Sequence, residues 1–268
     1  PNNDINSIKN TNLDSLKLVD FIDYQTKKVL EINQQREKLL EELSWQNQEL
    51  NDYAHMVSHD LKSPLRSIDA LTSWLKDDYE SKFDDAGIES LKLIRNNVEK
   101  MDTLINGILE YSTIGKNKSN GFDVDINNLI DDILSIISIP DHIEIIKNNL
   151  PIIKGDKLRL HQLFQNLIDN AIRYNKTAKG IIEIGVKDKD EYWEFYVKDN
   201  GIGIEEVYFD KIFKTFEKLE NNMESTGIGL SIVKKIVDLY GGKIWLISEL
   251  NKGTTFYFTL KKQSNGTA

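Results

Sequence analysis

The chain of 268 residues has no cysteine and only four prolines. Without cysteine it cannot form disulfide bridges or thiolate metal sites. No apolar stretch approaches the roughly 18 residues that a membrane-spanning helix needs, and no signal-peptide pattern is present. We therefore expect none of these residues to cross a membrane. The net charge of -9 argues against nucleic acid as the main partner, because phosphate backbones attract clustered lysine and arginine.

The first quarter of the chain carries the pattern of one long helix. Its apolar residues alternate in steps of three and four, and neither glycine nor proline occurs between Leu18 and Pro64, a span longer than an ordinary globular helix. The seam comprises Val29, Ile32, Leu39, Leu43, Leu50, Tyr53 and Val57. This pattern predicts a parallel coiled coil, with a surface helix on a globular domain as the alternative. Residues 1–20 fit either a frayed helix or a disordered lead.

His59 is the first candidate functional residue. It lies two positions beyond Val57, about 200° around the helix at about 100° per residue, so it should face away from the seam and toward solvent. A neutral imidazole nitrogen can attack a phosphorus atom, and Asp60 can accept the proton from the other nitrogen as the ring becomes cationic. Pro64 cannot donate a backbone hydrogen bond and should bend the helix beside His59. Taken alone, a histidine next to an aspartate is more often part of a solvated helix face.

The remainder of the chain is predicted to form a helical hairpin and a mixed domain. A second apolar run from Ile88 to Leu109 follows a break at residues 77–87, which predicts an antiparallel hairpin, and two hairpins can bury their seams as a four-helix bundle. The polar stretch from Gly115 to Gly121 is typical of a flexible linker. Beyond it, helices alternate with β-rich stretches, which indicates an α/β sandwich with helices on one face of the sheet. The predicted strands cover residues 122–124, 143–147, 181–187, 192–198, 243–248 and 254–260, and the predicted helices cover residues 126–137, 157–174 and 229–240.

Three stretches of this second part could bind a nucleotide. Asn166 and Asn170 are four residues apart and share a helix face. An amide oxygen there could ligate Mg²⁺, although simple surface exposure is the commoner explanation for such residues. Asp199 precedes Asn-Gly-Ile-Gly, which in isolation is more often an ordinary turn. Thr226 begins a Thr-Gly-Ile-Gly stretch that opens a helix, and the free amides of a helix N-terminus attract phosphate. Each of these signals is weak by itself.

Five motifs of the chain resemble those of the two-component sensor histidine kinases and occur in the same order as in that family. Residues 58–65, with the sequence Ser-His-Asp-Leu-Lys-Ser-Pro-Leu, resemble the phosphoacceptor box, and residues 163–174 resemble the N-box. Residues 199–204 and 226–230 resemble the two glycine boxes. Residues 212–218 resemble the Phe-box of the ATP lid. Five such motifs in one order make a chance resemblance improbable.

The resemblance implies an α plus α/β fold. A parallel coiled-coil helix would lead into a dimeric four-helix bundle, followed by an α/β sandwich that binds ATP. The expected divisions are a signalling helix at 1–50, a dimerisation and histidine-phosphotransfer hairpin at 51–114, a linker at 115–121, a catalytic ATP-binding domain at 122–262 and a tail at 263–268. No upstream sensor domain is recognisable.

The function implied by the resemblance is ATP-dependent autophosphorylation of His59, followed by phosphoryl transfer to an aspartate of a response-regulator receiver domain. The expected cofactors are ATP and Mg²⁺. The expected assembly is a cytoplasmic homodimer, and membrane attachment through other segments stays open. Ser63 lies one turn after His59, in the position that orients a water in relatives that dephosphorylate their regulator, which implies an additional weak phosphatase activity.

The resemblance also assigns roles to individual residues. The expected catalytic set is His59, Asp60, Ser63 and Lys218, with Lys218 contacting the terminal phosphate, and the expected metal ligand is Asn170. Asp199 would accept the adenine amino group. Ser225 stands where the second glycine box commonly has a further glycine, which predicts a stiffer loop. The expected nucleotide-binding residues are Asn166, Asn170, Arg173, Tyr174, Asp199, Gly201, Gly203, Thr226, Gly227, Gly229, Leu230 and Thr254.

Two other functions are compatible with parts of this pattern. An ATP hydrolase of the gyrase type has the same nucleotide-binding fold, but it uses a glutamate one turn before the metal-binding asparagine to activate water. That position is Asn166 here, and an amide cannot serve as a base. A non-catalytic dimeric scaffold would have no need of His59, Asp60, Asn170 or Asp199, so their presence argues against it. Measuring the affinity for ATP would discriminate the scaffold from the kinase.

Overall fold

The computed structural model describes residues 2–115, 122–215, 217 and 227–262, with side chains from residue 21 onward. Lys218, Ser225 and Thr226, the linker beyond Gly115 and the tail at 263–268 lie outside the described residues. The chain divides into two compact units, residues 1–53 and 54–268. Within the described ranges, no helix is both long enough and apolar enough to cross a membrane.

The first helix, α1, spans Asn2–Tyr79. Residues 1–20 were compatible with a disordered lead, and from Asn2 onward they are helical instead. Pro64 lies inside α1, so the helix continues past the residue that was expected to bend it. In the first unit the apolar seam is uncovered, with Leu39 65% and Leu50 67% exposed. An apolar stripe of this length on a lone helix is typical of a coiled-coil strand that has not met its partner.

In the second unit, residues 54–79 of α1 and helix α2, Asp85–Thr113, form an antiparallel hairpin. Asp84 caps α2 by accepting a hydrogen bond from the Gly87 amide at 2.8 Å, which satisfies one of the free amides at the start of that helix. The buried contacts of the hairpin join Leu65 to two apolar residues of α2, and Asp69 pairs with Arg95 at 3.8 Å. A second apolar stripe on α2 stays exposed and includes Ile94 and Met101. The buried residues of α2 are Leu91, Val98 and Ile105, and the last two contact Leu65.

The remaining residues form an α/β domain built on a five-stranded sheet. The strand order is β2-β4-β5-β7-β6, in which β2 is parallel to β4 and all other neighbours are antiparallel. A separate antiparallel pair joins β1 to β3. The strands are β1 Phe122–Asp125, β2 Ile143–Lys147, β3 Ile152–Gly155, β4 Gly180–Asp188, β5 Tyr192–Asp199, β6 Ile244–Glu249 and β7 Gly253–Lys261. The helices are α3 Ile126–Ile136, α4 Lys157–Arg173 and α5 Gly229–Leu239.

These bounds agree with the predicted elements to within two residues, except for β3, which was not predicted. Strand β3 has four residues, follows Pro151 and pairs only with the short β1, so its alternation of buried and exposed residues is too brief to stand out. The fold class is confirmed, because a helical hairpin is followed by an α/β sheet domain.

The core of the α/β domain lies between the helices and one face of the sheet. Three buried aromatic rings mark its centre, namely Phe164 on α4, Phe195 on β5 and Phe258 on β7, with ring centroids 5.3–5.5 Å apart. Asp125 and Asp156 cap α3 and α4 by accepting backbone amide hydrogen bonds. The packing of α4 on the sheet leaves its polar face free, and that face carries the N-box residues.

Candidate functional site

His59 is presented to solvent on the second unit's part of α1. Its side chain is 86% exposed and that of Asp60 is 74% exposed. The His59 Nδ1 atom lies 3.2 Å from Asp60 Oδ1. A carboxylate accepts hydrogen bonds, so the neutral tautomer that matches this contact carries its proton on Nδ1 and its lone pair on Nε2. That tautomer has a ring nitrogen able to act as a nucleophile.

Ser63 is exposed one turn beyond His59. The spacing of four places its hydroxyl on the face of α1 that carries the imidazole. Its backbone carbonyl accepts a hydrogen bond from the Ser67 hydroxyl at 3.2 Å. A hydroxyl at this position could orient a water molecule near the imidazole.

A cavity of about 770 Å³ lies in the α/β domain, bordered by α4, the loop after β5, the start of α5, the β6–β7 hairpin and α2. Its volume is in the range of small-molecule sites. Most of the predicted nucleotide-binding residues line it, namely Asn166, Asn170, Arg173, Tyr174, Asp199, Gly203, Gly227, Gly229, Leu230 and Thr254. Gly201 does not line it, and none of its described lining residues comes from α1.

Asp199 forms one end of the cavity, at the end of β5. Its Oδ1 atom accepts the Gly201 amide at 2.8 Å and the Thr254 amide at 3.3 Å. Burial raises the pKa of Asp199, although both amides act in the opposite direction. Within the described residues both hydrogen bonds reach Oδ1, so Oδ2 can accept one from a ligand amine, such as the exocyclic amine of adenine.

Two glycines of the first glycine box are required by contacts within the chain. Gly203 has φ +72°, and a Cβ there would overlap the backbone carbonyl of Glu249. A Cβ at Gly201 would lie 2.5 Å from the carbonyl oxygen of Tyr174. These glycines let the loop after β5 pack against the β6–β7 hairpin and the end of α4, so they shape the cavity through the backbone.

The N-terminus of α5 also lines the cavity. Gly227 has φ +73°, and within the described residues the N-cap Ile228 makes no side-chain capping bond, so the first amides of α5 are suited to bind an anion. A Cβ at Gly229 would lie 2.6 Å from Asn166 Oδ1. Glycine at this position therefore brings the helix N-terminus close to the N-box.

The polar face of α4 supplies oxygen atoms suited to a hard cation. The Asn166 Nδ2 atom donates to the Gln162 carbonyl at 2.7 Å, and Asp169 and Asn170 line the same cavity. Burial raises the pKa of Asp169, while the charge of Arg173 opposes that shift. The described residues contain no group of three histidine, cysteine or acidic side chains that could hold a metal alone. This donor set fits Mg²⁺, which usually takes one or two protein oxygens and completes its shell with water and phosphate.

Helix α2 contributes a wall of the cavity that sequence reasoning missed. Its lining residues are Thr103, Asn106, Gly107 and Glu110. The whole apolar run of α2 was expected to face the hairpin, yet Leu104, Ile108 and Tyr111 pack against the core of the α/β domain. Their spacing of four and three is a second stripe beside the hairpin stripe, and this double stripe is the signal that could have identified the wall.

Polar contacts hold the C-terminal half of α2 against the α/β domain. Arg159 donates to the Thr113 carbonyl at 2.9 Å, and Gln162 donates to the Glu110 carboxylate at 2.8 Å. Lys235 of α5 donates to the Tyr111 carbonyl at 2.7 Å and lies 4.1 Å from the centroid of its ring. Burial, and to a smaller extent the charge of Arg159, lowers the pKa of Lys235. We call this set of contacts the α2 dock.

Comparison with protein families finds two matching domains. Residues 49–117 match the His Kinase A phospho-acceptor domain. Residues 155–264 match the family of histidine kinase-, DNA gyrase B-, and HSP90-like ATPases. The two matches include His59 and the cavity residues of α4, α5 and the sheet.

Among curated proteins, cyanobacterial phytochrome B of Nostoc sp. is 40% identical over 228 residues, which cover 82% of this chain and 30% of that protein. The methanogenesis regulatory histidine kinase FilI of Methanothrix harundinacea is 33% identical over 224 residues, covering 82% of this chain and 25% of that protein. The chain therefore spans 30% or less of the length of these relatives.

Two solved structures have a similar fold. Full-length ShkA in complex with AMPPNP superposes with a TM-score of 0.62 at 23% identity, covering 80% of this chain and 46% of that one. The Acinetobacter baumannii histidine kinase AdeS superposes with a TM-score of 0.54 at 22% identity, covering 77% of this chain and 98% of that one. At these identities the similarity concerns the fold alone.

Proposed function

The chain belongs to the two-component sensor histidine kinases, and from that premise we propose that it phosphorylates its own His59 with ATP and passes the phosphoryl group to an aspartate of a response-regulator receiver domain. The observation that carries this proposal is the solvent-exposed imidazole of His59, whose Nδ1 atom lies 3.2 Å from the Asp60 carboxylate. A nucleophile of this kind and a nucleotide cavity lie in the same compact unit.

The proposed reaction is an in-line displacement at the γ-phosphorus of ATP. The lone pair of His59 Nε2 forms the new N–P bond, the bond from phosphorus to the β,γ-bridging oxygen breaks, and ADP leaves with that electron pair. The proton on Nδ1 stays beside Asp60, whose carboxylate stabilises the cationic ring. Asp199 would hold the adenine amine and the free amides of α5 would bind the phosphates.

The metal in this scheme is Mg²⁺, held through Asn170 with Asn166 beside it. When bound, Mg²⁺ neutralises part of the phosphate charge that develops during transfer. The amide oxygens of α4 would fix its position relative to the phosphates.

Lys218, outside the described residues, is assigned to the terminal phosphate, and Thr226 to the phosphate-binding loop. Ser63 is assigned to a weak phosphatase reaction on the regulator.

The working assembly is proposed to be a homodimer in the cytoplasm, where ATP and receiver domains are found. The exposed stripes on α1 and α2 support it, because an isolated chain leaves them in water and a second hairpin would bury them. The proposed divisions are a signalling helix at 1–50, a hairpin at 51–114, a linker at 115–121, an ATP-binding domain at 122–262 and a tail at 263–268. In a longer protein, a sensor would act through the signalling helix.

Transfer to His59 requires the ATP-binding domain to move. In the described structure the cavity is walled by α2 and receives no residue from α1, so His59 is not among the residues that border it. A linker at 115–121 would allow the domain to leave the α2 dock and approach the face of α1 that carries His59. Positioning of this kind supplies most of the catalysis in phosphoryl transfer.

A gyrase-type hydrolase remains the second candidate by fold, and one observation argues against it. The Asn166 amide group is tied to the Gln162 carbonyl and has no basic atom that could take a proton from water. The chain also carries the exposed candidate nucleophile His59, which a hydrolase does not need.

The test is the identity of the phosphorylated residue. After incubation with radiolabelled ATP and Mg²⁺, wild-type protein should carry an acid-labile, alkali-stable label, and His59→Gln should carry none. His55→Gln is the matched control, because His55 is also an exposed histidine of α1, and it should be labelled normally. Label that persists in His59→Gln, or that disappears in His55→Gln, would contradict the assignment.

A further inference from the structure

Helices α2 and α4 lie side by side with a register that their polar contacts fix. Thr113 pairs with Arg159, and Glu110 pairs with Gln162. Moving three residues back along α2 therefore corresponds to moving three residues forward along α4, so the two helices run antiparallel. One turn further, this register places Asn106 opposite Asn166. Both of these residues line the nucleotide cavity, as expected if the two helices form its facing walls.

The side chains that face each other across this part of the cavity are polar. On α2 they are Thr103 and Asn106, and on α4 they are Asn166, Asp169 and Asn170. Neighbouring helices normally interdigitate apolar side chains. A few polar side chains that converge on an otherwise largely apolar cavity are instead typical of a ligand site.

The α2 wall presents hydrogen-bond acceptors to this space, because the Thr103 hydroxyl hydrogen and one of the two amide hydrogens of Asn106 are used elsewhere. The Thr103 hydroxyl donates to the Glu99 carbonyl at 2.9 Å, and Asn106 Nδ2 donates to Asp102 Oδ2 at 2.8 Å. The amide oxygen of Asn106 is therefore turned away from Asp102. Glu110 is an acceptor on both oxygens, and only Oε2 accepts the hydrogen bond from Gln162.

The cavity carries groups for both parts of a metal–nucleotide. The amides at the start of α5 and the cationic side chains of Arg173 and Lys176 attract phosphate oxygens. The acceptor atoms of α2 attract a cation or its water ligands. Because Asn106 lies opposite Asn166 of the N-box, a cation held by the N-box should face α2.

We propose that Asn106 and Glu110 of α2 form a metal-facing wall, which binds the hydrated Mg²⁺ of Mg–ATP while the ATP-binding domain is on the α2 dock. The proposal rests on the proposed function, since it concerns the same nucleotide. Asn106 would bind through its amide oxygen, either directly or through a metal-bound water. Glu110, one turn away, would make binding depend on the metal, because its charge repels ATP that lacks Mg²⁺.

This wall links nucleotide binding to the position of the domain. If α2 residues contact the metal only in the docked arrangement, docking raises the affinity for Mg–ATP. By thermodynamic linkage, bound Mg–ATP then raises the equilibrium constant for docking by the same factor. The helical hairpin would then take part in loading the nucleotide before transfer, in addition to carrying the phosphorylated histidine.

The experiment measures nucleotide affinity by calorimetric titration of the full chain, with ATP and excess Mg²⁺ and, separately, with ATP and EDTA. Asn106→Ala should bind Mg–ATP about tenfold more weakly, near the lower end of the loss expected for one hydrogen bond to a charged partner. Asn97→Ala, at an exposed position of α2 outside the cavity, is the matched control and should bind as wild type. Asn106→Asp keeps the oxygen, so it should restore Mg–ATP affinity and weaken binding of metal-free ATP.

Glu110→Gln provides an independent measurement, because glutamine can still accept the hydrogen bond from Gln162. It should bind metal-free ATP about threefold more tightly, since it removes one partly screened repulsive charge. Glu89→Gln, near the start of α2, is its control. Melting curves without nucleotide should show that every variant is folded, with a lower midpoint for Asn106→Asp, because its carboxylate would face that of Asp102.

The outcomes separate the two proposals. Wild-type protein that fails to bind Mg–ATP would refute the proposed function. Wild-type protein that binds Mg–ATP, with Asn106→Ala equal to Asn97→Ala and Glu110→Gln showing the wild-type dependence on Mg²⁺, would overturn only the metal-facing wall.

Discussion

Loosening the α2 dock should raise the rate at which His59 is phosphorylated. The perturbation is Lys235→Met, which keeps an unbranched apolar side chain and removes the ammonium group. In the docked arrangement that group donates to the Tyr111 carbonyl at 2.7 Å and lies 4.1 Å from the centre of the Tyr111 ring. Because the docked cavity receives no residue from α1 within the described structure, molecules that leave the dock are the ones able to reach His59.

The magnitude follows from these two contacts. A hydrogen bond from a charged donor contributes about 1.5–3 kcal/mol net, and a cation–π contact at a partly exposed site adds about 0.5–1 kcal/mol. Desolvation works against both, since burial lowers the pKa of Lys235, and the partial exposure of the side chain screens its charge. We take about 1–2 kcal/mol as the loss of docking free energy, which shifts the docked-to-free ratio by about fivefold to thirtyfold.

The assay compares initial rates of acid-labile labelling in wild type, Lys235→Met and Lys234→Met at saturating Mg–ATP. Lys234 is the adjacent, exposed lysine of α5, so it controls for the loss of a positive charge. Hydrogen exchange at the backbone amides of residues 104–113 reports docking directly and should be faster only in Lys235→Met. Faster exchange without a faster rate of phosphorylation would show that the dock does not restrain the domain, and the reasoning would then be wrong.

Two further predictions concern the nucleotide and the regulator. Asp199→Asn should lose ATP binding while keeping the wild-type melting temperature at pH 7, because the amide oxygen still accepts the two backbone hydrogen bonds but the NH2 group replaces Oδ2 and presents a donor to the adenine amine; unfolding of the variant would instead make Asp199 structural. Since burial raises the pKa of Asp199, wild-type affinity for ATP should fall on acidification at a pH above the ordinary aspartate range of about 3.9, as titrations at several pH values can test. Ser63→Thr should increase dephosphorylation of the cognate regulator and Ser63→Ala should decrease it, because threonine restricts the hydroxyl that orients water. Equal decay of the phosphorylated regulator with all three proteins would remove Ser63 from that reaction.

The parts of the fold that the sequence predicted are those whose cause is local. The exposure of His59 follows from its angle to the seam on one helix, and the pairing of Asn166 with Asn170 follows from a spacing of four. Of the six predicted strands, all but the four-residue β1 have five or more residues, over which an alternation of apolar and polar side chains can be recognised. Strand β3 failed this condition, since its four residues gain their strand identity from pairing with β1. Local patterns cannot report such a pairing.

The glycine boxes illustrate a different limit. Both glycines of the first box were expected to let the backbone approach the ligand. Gly203 lines the cavity, whereas Gly201 makes room for the Tyr174 carbonyl. A glycine in a sequence indicates that some group approaches the backbone closely, but whether that group is a ligand or another segment of the chain depends on tertiary contacts.

Helix α2 shows why the remaining part of the site could not be predicted. Its apolar residues form three stripes, one against α1, one against the α/β domain and one exposed, and all three share the same helical period. Periodicity states that a face is buried, and it does not state which partner buries it. The polar residues Asn106 and Glu110 then look like solvated surface between stripes, although they face a cavity.

Because the same helix contacts the histidine-bearing helix and the nucleotide-binding domain, any signal that rotates α2 must change both contacts together. A rotation that turns the docked stripe away from α4 and α5 would release the domain and withdraw the acceptor wall from the nucleotide in one movement.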